Sequence, residues 1–199
     1  MAVAGLGFKH HTGWAIAVAV TGDARDPQVL DRRRIELLDP SLVRFAYHAV
    51  QDTPVKQAAT SIAKVEASAL KCAAREIGAL VESLRADGHD VRGVGIAAKT
   101  AQLPDTLDKI LSSHALLHAA EGDLYREALA EGAAACGLSV AGFPPKQLYA
   151  DAAAQLGTSE AKLRDVLTRT GKALGSPWRV DHKDATLAAL LALAAFSTK

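Results

Sequence analysis

"RVDHKDATLAALLALAA", residues 179–195, sets two carboxylates at the head of an Ala/Leu run. Asp181 and Asp184 are spaced to share one face of a helix, so both side chains can be aimed at one point. Two readings compete. Acidic groups in a first turn are favoured by the positive end of the helix dipole and cap it. Two carboxylates aimed together also make half of a site for a hard divalent cation. The apolar stretch that follows, "ATLAALLALAAF", is shorter than the ~20 residues that a membrane span needs, so no membrane role is expected.

Upstream, "SEAKLRDVLTRTGKALG" is amphipathic, with Ser159 as cap and Gly175 as stop, and "PPKQLYADAAAQLG" turns into a helix. "LSVAGF" and "VRGVGIAAK" have the length and composition of strands, and "SSHALLHAAEGDLYREALAEGAAACG" and "LPDTLDKIL" those of helices. "TSIAKVEASALKCAAREIGALVESLRADG" repeats Ile62, Val65, Ala69, Ala73, Ile77, Leu80 and Leu84 at helical spacing. Thr60 or Ser61 is the expected cap and Gly88 the expected stop. "DPSLVRFAYHAVQDTP" is a short helix or connector. The chain opens with "MAVAGLGF" and "TGWAIAVAVTG", separated by "KHH", and then "QVLDRRRIELLD". These read as three strands joined by short turns, an antiparallel meander.

The remaining bounds are ordinary. The 199 residues suit one domain over the whole chain, 1–199, with 49% apolar and 23% charged residues. A net charge of +1 is not the footprint of a protein that holds nucleic acid by charge alone. Cys72 and Cys136 lie in Ala-rich helical runs without CxxC spacing, which fits a reducing compartment, and the N-terminus lacks a basic signal-peptide region. A cytoplasmic protein is the expectation.

Three antiparallel strands followed by alternating helix and strand resemble the ribonuclease H-like fold. The expected architecture is therefore α/β, a mixed five-stranded sheet of three antiparallel and then parallel strands, flanked by helices. The last third resembles RuvC-type Holliday-junction resolvases. It has a lysine-bearing turn at Lys146, a GxxxK helix start from Gly157 to Lys162, and an acidic helix of the form D-x-x-D-A-L-A at Asp181, Asp184, Ala185 and Leu187. "TGWAIAV" resembles that family's second strand and "SHALLHAAEGDLYREAL" its middle helix. The resemblance implies a metal-dependent nuclease in which about four carboxylates hold two Mg²⁺ or Mn²⁺ ions. Asp181 and Asp184 would be the catalytic pair. The first-strand acid would fall at Leu6 or Gly7 and the fourth-strand acid at Ala97 or Ala98, with Lys99 beside it, so half the set is missing.

His10 and His11, expected in the first turn, together with Asp181, His182 and Asp184, offer a mixed nitrogen and oxygen metal site as a substitute. Lys9, Lys99 and Lys146 are the expected contacts to DNA or RNA. Arg25, Arg32, Arg33 and Arg34 either line a phosphate backbone or protect a charged strand edge. His114, His118 and Glu121 share a helix face, and two histidines one turn apart can hold a metal, although a solvated face is the plainer reading. The leading expectation is a RuvC-like, nucleic-acid-associated protein with a degraded or altered nuclease site. The alternatives are an active endonuclease using Asp181, Asp184 and nearby histidines, and a non-enzymatic interaction or assembly protein. The apolar "LLALAAF" end could serve a homodimer. An actin-like ATPase would need two copies of this core, which about 200 residues do not supply.

Overall fold

In the computed structural model, which describes residues 1–196, three antiparallel strands open the chain: β1 (Ala2–His11), β2 (Trp14–Gly22) and β3 (Pro27–Glu36). A two-residue turn, Thr12–Gly13, joins β1 to β2, and Gly13 takes a left-handed conformation there (φ 84°). Lys9, His10 and His11 are therefore the end of β1, not the turn expected from "KHH". His10 pairs with Ala15 and His11 with Trp14. β4 (His89–Ile96) lies parallel to β1, and β5 (Ser139–Gly142) parallel to β4, giving one sheet in the order β3-β2-β1-β4-β5.

Between β3 and β4 run a connector with a one-turn helix, α1 (Ala46–Ala49), and the long α2 (Val55–Ala86). α2 begins behind Pro54, ahead of the expected cap at Thr60 or Ser61, because proline cannot continue a helix backwards but pre-sets its entry. α3 (Leu107–Leu111) and α4 (His114–Ala135) lie between β4 and β5. α2 and α4 pack together over one face of the sheet, burying Leu6, Phe8, Ile77, Leu80, Leu117 and Leu129 in one core.

The other face carries α7 (Val180–Phe196), which is covered in turn by α5 (Leu148–Gln155) and by α6 (Glu160–Leu174) through Leu163 and Leu167. Every residue of α7 from Asp184 to Leu193 is buried, which is why this helix is apolar on all sides. Leu190, Leu191 and Leu193 of the apolar end expected to serve a homodimer are buried inside the fold, while Ala194 and Ala195 are exposed. Ser159 caps α6 as expected, accepting from Lys162 N at 3.3 Å.

Over the glycines of β1 and β4, α7 sits directly against backbone. A Cβ on Gly7 would lie 1.8 Å from the Ala185 carbonyl oxygen, one on Gly95 2.0 Å from that of Ala188, and one on Gly5 2.4 Å from that of Ala189. Glycines on β1 and β4 thus meet alanines on α7, and this seam sets the depth at which Asp181 and Asp184 stand over β1. Among the described residues no helix is long and apolar enough to cross a membrane.

Candidate functional site

Strand alternation puts Gly5, Gly7, Lys9 and His11 on the α7 side of β1, and Leu6, Phe8 and His10 on the α4 side. The consequence appears where β1 passes the start of α7. Lys9 Nζ is 3.9 Å from Asp184 Oδ2 and 3.4 Å from the carbonyl oxygen of Ala97, at the end of β4. His11 Nε2 is 3.1 Å from Asp181 Oδ2. Lys9 and Asp184 side chains are only 20% and 12% exposed, so their attraction is screened less than that of a surface pair.

Burial pushes the Asp184 carboxyl above its ordinary range, with Lys9 opposing that rise and Asp181 adding to it. Tyr149, on α5, faces the same corner: burial and the Asp184 charge raise its phenol, and Arg164 of α6 sits 3.9 Å over its ring. On the β2 side, His11 stacks on Trp14 at 4.2 Å and the Arg34 guanidinium lies over that indole at 4.3 Å. The corner is an acidic pair with each acid already matched to a basic side chain, rimmed by Tyr149, Trp14, Arg34 and Arg164. Tyr149 and Arg164 were not legible in the sequence, since only the packing of α5 on α6 brings them here.

The expected site residues divide. His11, Asp181 and Asp184 are together. His10 is not: it faces α4, where burial together with Lys9, His11 and Arg126 lowers its pKa from 6.5 to about 4, against the pull of Asp123. His182 turns toward Trp178, 5.9 Å between rings, and its Nδ1 accepts from the Arg179 backbone N–H at 3.2 Å, so it closes the helix start instead of joining the acids. Lys99 and Lys146 are exposed, in the loop beyond β4 and in the turn before α5, the latter one turn ahead of Tyr149.

The positions assigned to the missing acids also change. Leu6 is on the opposite face, and Gly7 lies beneath the α7 backbone with no room for a side chain. The β1 residue that stands beside Asp184 is Lys9. Just beyond β4, Ala97 faces α7 and Ala98 the α2–α4 core, so Ala97 is the residue beside the acids. Of the four arginines, Arg32 ties β3 to the loop between α6 and α7, donating to Leu174 O, Gly175 O and Pro177 O at 2.6–2.8 Å. Arg33 pairs with Asp31, and Arg34 with Glu36 at 2.7 Å, which is the strand-edge reading.

No protein-family model and no curated protein matches the sequence. Solved structures do match. RuvC of Thermus thermophilus in complex with a Holliday junction substrate aligns over 96% of this chain and 91% of its own, with a TM-score of 0.54 and 14% identity. A second structure of the same RuvC aligns over 96% and 92%, with a TM-score of 0.53 and 14% identity. The fold is RuvC-like. At 14% identity the likeness is one of fold.

Those side chains do not fit a pair of divalent ions. Such ions need several carboxylate oxygens. Here an ammonium lies against one carboxylate and an imidazole against the other, and Ala97 supplies only its backbone oxygen. A separate consequence concerns stability. His10 is held neutral in the fold, so the unfolded chain takes up its proton near 6.5 and the folded chain only near 4. The stabilisation is complete above pH 6.5 and is lost as pH falls toward 4, by up to ~3 kcal/mol. Urea denaturation at pH 7 and pH 4 is expected to show this extra loss in the wild type and not in His10→Phe.

Proposed function

We propose that this chain is a nucleic-acid-binding protein on a RuvC-like fold that engages a phosphate backbone at the β1–α5–α7 corner and does not cut it by the two-metal route. The observation that carries the reading is the Lys9–Asp184 contact at 3.9 Å. The ammonium brings a positive charge to the acids, as a divalent ion would, but it cannot polarise a phosphodiester oxygen or lower the pKa of a water in the way a metal does. Lys9 neutralises Asp184, and His11 can do the same for Asp181 when protonated, so an approaching phosphate meets less repulsion than two bare carboxylates would present. Lys146 and Lys99, exposed on either side of the corner, supply phosphate contacts, and Arg34 and Arg164, held over Trp14 and Tyr149, add positive charge at its rim. The solved RuvC bound to a Holliday junction makes branched DNA the first ligand to test.

Fluorescence anisotropy with four-way, double-stranded and single-stranded DNA and with RNA is expected to give binding that weakens steeply with salt. Lys146→Ala with Lys99→Ala is expected to lower the log–log salt slope by about 2, near ~0.9 per lost phosphate contact. No binding to any of these at low salt would overturn the nucleic-acid reading.

One observation favours a second reading, metal-dependent cleavage through His11, Asp181 and Asp184: the His11–Asp181 distance of 3.1 Å. Imidazole and carboxylate together suit Mn²⁺ or Zn²⁺ better than Mg²⁺. Cutting of a labelled junction in Mn²⁺ that disappears in Asp184→Asn would establish this second reading over the first.

A further inference from the structure

Glu121, on α4, is 2% exposed, and among the described residues no lysine or arginine pairs with it. A carboxylate at that depth is costly unless a positive charge faces it. What faces it is His48, from α1. Glu121 Oε1 is 3.1 Å from His48 Nδ1 and accepts from the His48 backbone N–H at 3.2 Å. Oε2 of Glu121 and both ring nitrogens of His48 are buried without a hydrogen-bond partner.

Two more imidazoles close on the same place. His114 and His118, one turn apart at the start of α4, bring their Nε2 atoms within 3.1 Å of each other. The His48 ring centroid is 4.5 Å from that of His118 and 5.2 Å from that of His114. One nitrogen from each of the three rings lies within 4.8 Å of the others.

The geometry points to a Zn²⁺ site formed by His48, His114 and His118, with Glu121 orienting His48 from behind. Tetrahedral zinc with Zn–N bonds of ~2.0–2.1 Å sets its ligand nitrogens about 3.3 Å apart. The His114–His118 pair is already near that spacing, and the His48 nitrogen has at most about 1.5 Å to close. A carboxylate behind a ligating imidazole favours a proton on Nδ1 and leaves Nε2 to the metal; the 3.1 Å contact puts Glu121 in that place, and the buried, unpartnered Nε2 is the nitrogen a metal would use. Three imidazoles select a borderline transition ion over Mg²⁺. Because His114 and His118 are exposed, the fourth position opens to water. The site lies on the α2–α4 side of the sheet, away from the acidic pair.

Its effect is mechanical. α1 is one turn inside the connector between β3 and α2, held to α4 by Glu121 and by Tyr125, whose hydroxyl donates to the Arg44 carbonyl at 2.8 Å. Zinc would clamp that connector to α4.

The test uses the untagged full chain, stripped with chelator and titrated with ZnCl₂ by calorimetry, alongside metal analysis by mass spectrometry. The expected result is one Zn²⁺ per chain, a rise in Tm that EDTA reverses, and a visible Co²⁺ spectrum of tetrahedral type. His114→Ala with His118→Ala, both exposed and so harmless to the core, is expected to abolish binding. Glu121→Gln is expected to weaken it by ~10–100-fold. His11→Ala is expected to leave it unchanged, which separates this site from the acidic corner. Absence of zinc binding at micromolar concentration, or binding that survives the double histidine variant, would overturn the proposal. Binding indifferent to Glu121→Gln would reduce it to an exposed histidine pair and overturn the assignment of His48.

Discussion

Lys9→Asp combined with Ala97→Glu is expected to turn a chain indifferent to Mg²⁺ into one that Mg²⁺ stabilises. Lys9 is the β1 residue beside Asp184, and Ala97, the residue after β4, has the carbonyl that Lys9 reaches at 3.4 Å. Replacing both brings four carboxylates to one corner and removes the ammonium, and four like charges drive a demand for a hard cation. Mass action then stabilises the fold by ~2.7 kcal/mol at a Mg²⁺ concentration one hundred times Kd. For a chain of this size that is about 5–10 °C in Tm. The wild type is expected to show no rise, and Lys9→Asp alone a smaller one of the same sign. Mg²⁺ is the right probe because it does not seek imidazole, so the histidines on the other face stay silent. Equal responses from wild type and double variant would mean that Lys9 is not what keeps the ion out.

The second large effect is on folding. Gly7→Ala is expected to cost ~4 kcal/mol or more, an exceptional value for one methyl group. The new Cβ would fall 1.8 Å from the Ala185 carbonyl oxygen and 2.6 Å from the Ala189 nitrogen. Both are backbone atoms of a helix buried on all sides, so no side chain can swing away to make room, and α7 must lift off the sheet. Gly122→Ala is the matching control. Gly122 lies inside α4 with no atom within 4 Å of an added Cβ. Alanine there is expected to stabilise by ~0.5–1 kcal/mol. Urea midpoints at constant m-value read both changes. A Gly7→Ala protein as stable as the wild type would sink the view that glycine–alanine contact sets the position of α7.

Much of this architecture can be read from the residues. Helical spacing marks α2 and α6, length and composition mark α4, and the β-rich runs mark all five strands. Boundaries were lost where a local signal competed with a stronger one. "KHH" resembles a turn by composition, yet Thr12–Gly13 is the turn, and the polar triplet stays extended because Lys9 and His11 have acids to meet on one face. That same alternation was the available signal for Lys9. With Gly5 and Gly7 on the helix side, every second residue continues there. Asp181 and Asp184 were legible because they lie on one helix. His48 and its partners were only half legible, since Glu121 lies 73 positions after His48 in the chain and no local spacing links the two.

The depth of α7 also has a consequence for synthesis. The helix that fills the space between the sheet and the α5–α6 layer is translated after every strand it covers. Until Leu193 has left the ribosome, the face formed by Gly5, Gly7, Ile16, Val18 and Gly95 has nothing to pack against. Nascent chains arrested before Val180 are therefore expected to remain protease-sensitive and to need chaperone shelter, and the sheet to become protected in a single late step once α7 is released.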